Sequence, residues 1–80
     1  MSEQNIEKTV YELNVEINKN KKAIRIIRKN IAELLEAFSN SSDSDKATFG
    51  TQIAKSLLQI SELRTQVKEL KKTLNKILSS

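Results

Sequence analysis

Apolar residues recur along this chain every three or four positions over two long stretches, and a short polar segment separates them. In the first stretch Val10, Ile17, Ile24, Ile31 and Phe38 repeat at one heptad position, a. Ile6, Leu13, Asn20, Ile27 and Leu34 repeat at the other, d. In the second, Ile53, Ile60, Val67 and Leu74 take a, and Phe49, Ser56, Leu63, Leu70 and Ile77 take d. A 3.5-residue period held this long specifies a helix with one apolar seam that packs against a second helix. Only Asn20 and Ser56 break the pattern.

The two seams are complementary when the chain folds back on itself. Phe38 then meets Phe49, Leu34 meets Ile53, Ile27 meets Ile60 and Ile24 meets Leu63. Further from the turn, Ile17 meets Leu70, Leu13 meets Leu74 and Val10 meets Ile77. Every a layer faces a d layer, as an antiparallel pair requires. The polar breaks fall in different layers, Asn20 opposite Val67 and Ser56 opposite Ile31. The fold expected is all-α: an antiparallel two-helix coiled-coil hairpin forming one domain over residues 1–80, with the helices at about 4–38 and 46–78. Asn20, a lone polar residue in the seam, is a candidate for setting register.

The segment Ser39-Asn40-Ser41-Ser42-Asp43-Ser44-Asp45 is the expected loop. Its side chains compete with the backbone for hydrogen bonds, which favours turns and caps. Ser42-x-x-Asp45 resembles a capping box with aspartate in the glutamate position, and acids there suit the positive end of a following helix. A calcium loop would need more oxygen ligands, a turn glycine and a closing glutamate, none of which follows.

Composition narrows the chemistry. The chain has 80 residues, no Cys, no His, no Pro and one Gly, Gly50. That removes disulfides, thiolate and imidazole metal ligands, and the commonest nucleophile and general base. No cofactor or metal site is expected. The carboxylate pairs, such as Glu12 with Glu16 and Glu33 with Glu36, lie outside the seam on the solvated surface. Serines and threonines have no base to activate them. A non-enzymatic protein is the expectation. The first ten residues are polar and no apolar run approaches the roughly 18–20 residues of a membrane span, so a cytoplasmic location is expected.

Charge adds two features. The net charge is +4, from 14 Lys and Arg against 10 Asp and Glu. Glu3, Glu7, Glu12 and Glu16 crowd the start of the chain, and Lys68, Lys71, Lys72 and Lys76 crowd its end, so folding back sets them side by side. Lys19 to Lys29 holds six positive charges and no negative one. In the hairpin register Lys21, Arg28, Arg64 and Lys71 all take the flanking e position, with Lys21 near Arg64 across the seam.

Apolar residues also exceed what one seam needs. Leu35 and Leu57 share the e flank with those cations, and Leu58 and Ala54 lie next to it. A contiguous apolar group on a surface marks a binding face more often than chance. The expected partner-binding residues are therefore Leu35, Ala54, Leu57 and Leu58 near the loop, with Lys21, Arg28, Arg64 and Lys71 beyond them. The function expected is a helical protein–protein interaction module, such as an adaptor, chaperone or assembly subunit. It would build a four-helix bundle with itself or with a protein partner. The alternative is a small basic nucleic-acid-binding regulator acting through Lys19 to Lys29 and Arg64 to Lys72, although no aromatic residue interleaves the basic ones.

In outline, such a hairpin resembles secretion-system hairpin chaperones, sporulation-regulator phosphatases, RNA-modulating hairpin dimers and the Trp-x-Gly secreted hairpins. Phe49-Gly50 lacks the tryptophan and the spacer residue of the last group. Ser61-Glu62-Leu63-Arg64 departs from the Ser-x-Glu-Leu-Asp motif of the phosphatases. These are likenesses of shape, and shape does not carry function.

Overall fold

The computed structural model describes residues 3–79, with side chains from Asn5 onward. Two helices, α1 (Glu3–Ser39) and α2 (Asp43–Ser79), account for nearly all of it. They pack against each other antiparallel, and no strand occurs among the described residues. Each helix has 37 residues, about 55 Å at 1.5 Å per residue, and the described chain measures 61 × 14 × 13 Å. One helix length sets the long dimension.

The seam is where the heptads put it. Every a and d residue from Ile6 to Phe38 and from Phe49 to Ile77 is buried or half-buried. The best-covered apolar residues are Ile17, Ile24, Ile31, Ile60 and Val67, each 5–9 % exposed. Ile27, Ile53 and Leu63 pack against the Ile24, Ile31 and Ile60 cluster. Among the described residues no large side chain is fully sealed from water, because two helices can cover only one side of each other. Such a core is thin for its length.

Cross-seam contacts lie within one residue of the expected register. Asn20 is 7 % exposed, and its Nδ2 donates to Gln66 Oε1 at 3.4 Å. Phe38 Cε2 stands 3.8 Å from where a Cβ on Gly50 would sit. Burying an amide costs free energy unless it is hydrogen-bonded, so the long bond to Gln66 offsets part of that cost. It also ties the break in the α1 seam to one position on α2.

The turn is tighter than the sequence suggested. The expected loop ran over 39–45, with α2 beginning at 46; instead only residues 40–42 lie outside the helices. Ser42 acts as the N-cap: its carbonyl accepts from Lys46 N at 2.9 Å, and its Oγ donates to Asp45 Oδ2 at 3.1 Å. Asp43, Ser44 and Asp45 thus form the first turn of α2, where acids favour the helix dipole. At the other end α1 stops with no residue in the left-handed region. Asn40 N shares the Glu36 and Ala37 carbonyls at 3.3 Å each. Ser41 Oγ takes Phe38 O at 2.9 Å, and Ser39 Oγ takes Leu35 O at 3.0 Å. Serine hydroxyls satisfy the carbonyls that a glycine cap commonly serves. Lys46 Nζ, 5.7 Å from the Phe38 ring centre, closes the turn from outside.

The hairpin sets the acidic start of α1 beside the basic end of α2 without bridging them. Among the described residues no ion pair joins the acidic start of α1 to the basic end of α2; Lys72 pairs with Glu69 within α2 at 3.9 Å. Register explains this. Glu16 lies on the flank that faces Gln66 and Thr73, and Glu7 on the flank that faces Leu78. The side chain of Glu3 lies outside the described ones. The two clusters are neighbours without direct bridges, which in water contribute little anyway.

Candidate interaction groove

One flank of the hairpin carries most of the unpartnered chemistry. Two adjoining open grooves run along it, of about 440 and 380 Å³. Nearer the turn, Arg28, Leu57, Arg64 and Lys68 stand around Ile31 and Ile60. In the next stretch, Lys21, Arg25, Arg28 and Arg64 stand around Ile24 and Val67. The floor is the narrow rim of the seam, whose residues Ile24, Ile31, Ile60 and Val67 are only 5–9 % exposed, and five cations form the walls. No acidic residue lines either groove, and none of the five cations forms an ion pair with a described residue.

The heptad accounts for this arrangement. In an antiparallel pair the e positions of both helices border the same side of the seam. Arg28 and Lys21 on α1 therefore approach Leu57 and Arg64 on α2. The b positions stand one step outward, which brings in Arg25 and Lys68. Those two were expected only for the nucleic-acid alternative, within Lys19 to Lys29 and Arg64 to Lys72, and not for a protein partner; the signal that could have added them is their spacing of three or four from Lys21, Arg28 and Arg64.

The expected residues separate into groups. Lys21, Arg28, Leu57 and Arg64 come together in the grooves. Leu35, 50 % exposed, takes the same flank but does not line them. Ala54 and Leu58 are exposed on the outer surface of α2, with Leu58 at 61 %. Lys71 is exposed and lies a turn beyond the second groove. The flank is thus mixed: Leu57 stands among the arginines.

The opposite flank has another character. Glu16, Asn20, Gln66, Glu69 and Leu70 border a recess there, in which Asn20 and Gln66 are already bonded to each other. Among the described residues no group of acids gathers in a metal-binding arrangement. The hydroxyls of Thr9, Thr51, Thr65 and Thr73 each donate to the carbonyl four residues earlier. No helix among the described residues is long and apolar enough to cross a membrane.

No protein-family model, curated protein or solved structure matches this chain.

Proposed function

We propose that this chain is a non-enzymatic helical interaction module, a small adaptor, chaperone or assembly subunit, that packs its e flank against helices of another subunit. One observation carries the reading. Leu35 and Leu57 remain 50 % and 54 % exposed on the flank of a hairpin whose core is thin. Covering them in a three- or four-helix arrangement would add apolar burial at roughly 25 cal/mol per Å² to a fold short of it. Helix bundles assemble in this way.

The experiment is sedimentation equilibrium with circular dichroism on the wild type and Leu57→Glu. Association should weaken strongly in the variant while helicity is retained, since Leu57 lies outside the seam. A wild-type chain that remains monomeric rules out the self-assembling version of the reading. Loss of helicity in Leu57→Glu, or association that ignores the substitution, would contradict the reading.

A second reading, binding of nucleic acid, is favoured by the five cations without acids. Phosphate contacts would make affinity fall steeply with salt. Binding insensitive to salt, or none at low salt, would end it.

A further inference from the structure

We propose that the groove between α1 and α2 receives an acidic amphipathic helix from another protein, seated as the third member of a helical bundle. This rests on the interaction-module reading and names the chemistry of its partner.

Three features select that occupant. The first is the floor. Ile31, Ile60, Ile24 and Val67 border the grooves, and Leu57 rises from one wall. An apolar floor matches the leucine stripe of a helix and offers nothing to a phosphate backbone. The second is the walls. Lys21, Arg25 and Arg28 come from α1, and Arg64 and Lys68 from α2. Cations thus flank the apolar strip on both sides. A third helix lying there would present its own flanking positions to both walls, and carboxylates at those positions would meet all five. The third is length. From Leu57 to Lys68 the rise is about 16 Å, or roughly three turns of helix. A long, open groove suits a helix of that length better than a small ligand, which needs enclosure.

A second copy of this chain fits poorly. In a two-fold dimer the same patch meets itself, which would set five cations against five. Docking onto the acidic start of another copy's α1 would leave the exposed Leu57 beside the groove facing carboxylates instead of an apolar stripe. The unpaired cations therefore point to a partner of a different sequence.

The test titrates the full chain with a synthetic helix of about 21 residues carrying leucine at a and d and glutamate at e and g. The glutamates also keep the peptide from pairing with itself. A matched peptide carries lysine at e and g, and a fluorescein-labelled duplex oligonucleotide reports polyanion binding. Expected is saturable binding of the glutamate peptide, at least about 100-fold tighter than the lysine peptide. It should weaken about tenfold or more between roughly 50 and 500 mM NaCl. Leu57→Ser should weaken it about tenfold, because leucine burial is lost, whereas an electrostatic occupant would ignore that change. Equal binding of both peptides would overturn the acidic chemistry and leave helix docking standing. Oligonucleotide binding without glutamate-peptide binding would assign the groove to phosphates. Binding of neither peptide at low salt would overturn the inference; self-association abolished by Leu57→Glu would then still uphold the broader reading, and a wild-type monomer would end that too. Self-association into open polymers that the glutamate peptide fails to reverse would give the groove to a second copy.

Discussion

Ile60→Asp is expected to abolish the hairpin: the helical circular-dichroism signal collapses toward that of an unfolded chain at room temperature. Ile60 is 5 % exposed and belongs to the best-packed cluster, with Ile24 and Ile31. The substitution forfeits about 2–3 kcal/mol of apolar burial. It also places a carboxylate in the seam, where Arg28 and Arg64 at the groove rim offset only part of its desolvation, at an effective cost of several kcal/mol more. An 80-residue chain at the usual 0.05–0.15 kcal/mol per residue has roughly 4–12 kcal/mol to lose. A thin core belongs in the lower half of that range, so the loss exceeds the supply. Leu58→Asp is the control. At 61 % exposure on the outer surface of α2, it should change the melting midpoint only slightly. If Ile60→Asp stays helical and cooperative while Leu58→Asp melts early, the seam has been placed on the wrong face.

The double variant Arg28→Glu with Arg64→Glu is expected to stabilise the hairpin while destroying acidic-helix binding. Arg28 and Arg64 line both grooves with Lys21, Arg25 and Lys68 nearby, so five like charges share one flank without a counter-ion from the described chain. Exchanging the central two for acids turns repulsion into attraction at each remaining cation. Exposed pairs contribute only a few tenths of a kcal/mol each, so the melting midpoint should rise by a few degrees at low salt and by less at high salt. Affinity for an acidic helix should fall by about 100-fold or more, because attraction becomes repulsion on both walls. Stability and binding moving in opposite directions identifies a flank kept for a partner rather than for the fold. If both fall together, the arginines serve the hairpin itself.

How much of this was legible beforehand follows from what kind of signal each feature carries. The seam was legible because burial repeats with the heptad: Ile17, Ile24 and Ile31 on α1 and Ile60 and Val67 on α2 are the best-covered apolar residues. The hairpin register was legible because an antiparallel pair must alternate a and d layers, and Asn20 against Gln66 fits it. The turn was legible in place but not in length. Ser39 and Asp43 to Asp45 favour caps and loops alike, so composition marks the region without saying which residues are helical. What decides is the capping of Ser42 through Lys46 N and Asp45, a tertiary-scale choice to reverse direction within three residues.

The candidate groove was half legible. Heptad positions placed Lys21, Arg28, Leu57 and Arg64 on one side, and the grooves contain all four. Arg25 and Lys68 are one step outward: their basic stretches were legible, but that they line the same groove as Arg28 and Arg64 was not. Leu58 was counted with Leu57 as part of an apolar group near the loop, one step out from the e flank. Adjacent residues on a helix point about 100° apart, and Leu58 accordingly faces outward. The missing ion pairs between the chain's start and end had the same cause: opposite charges near each other in outline occupy positions that do not face.

The central claim is that the flank bordered by Lys21, Arg28, Leu57 and Arg64 is the working surface of this hairpin. Backbone amide chemical-shift mapping tests it most directly, with the glutamate-flanked helix added to the isotope-labelled chain. Perturbations are expected to concentrate in Lys21 to Ile31 and Leu57 to Lys68, with the α1 start and the recess around Glu16 and Gln66 little changed. Perturbations centred on Glu16, Asn20 and Gln66, or spread evenly along both helices, would contradict it.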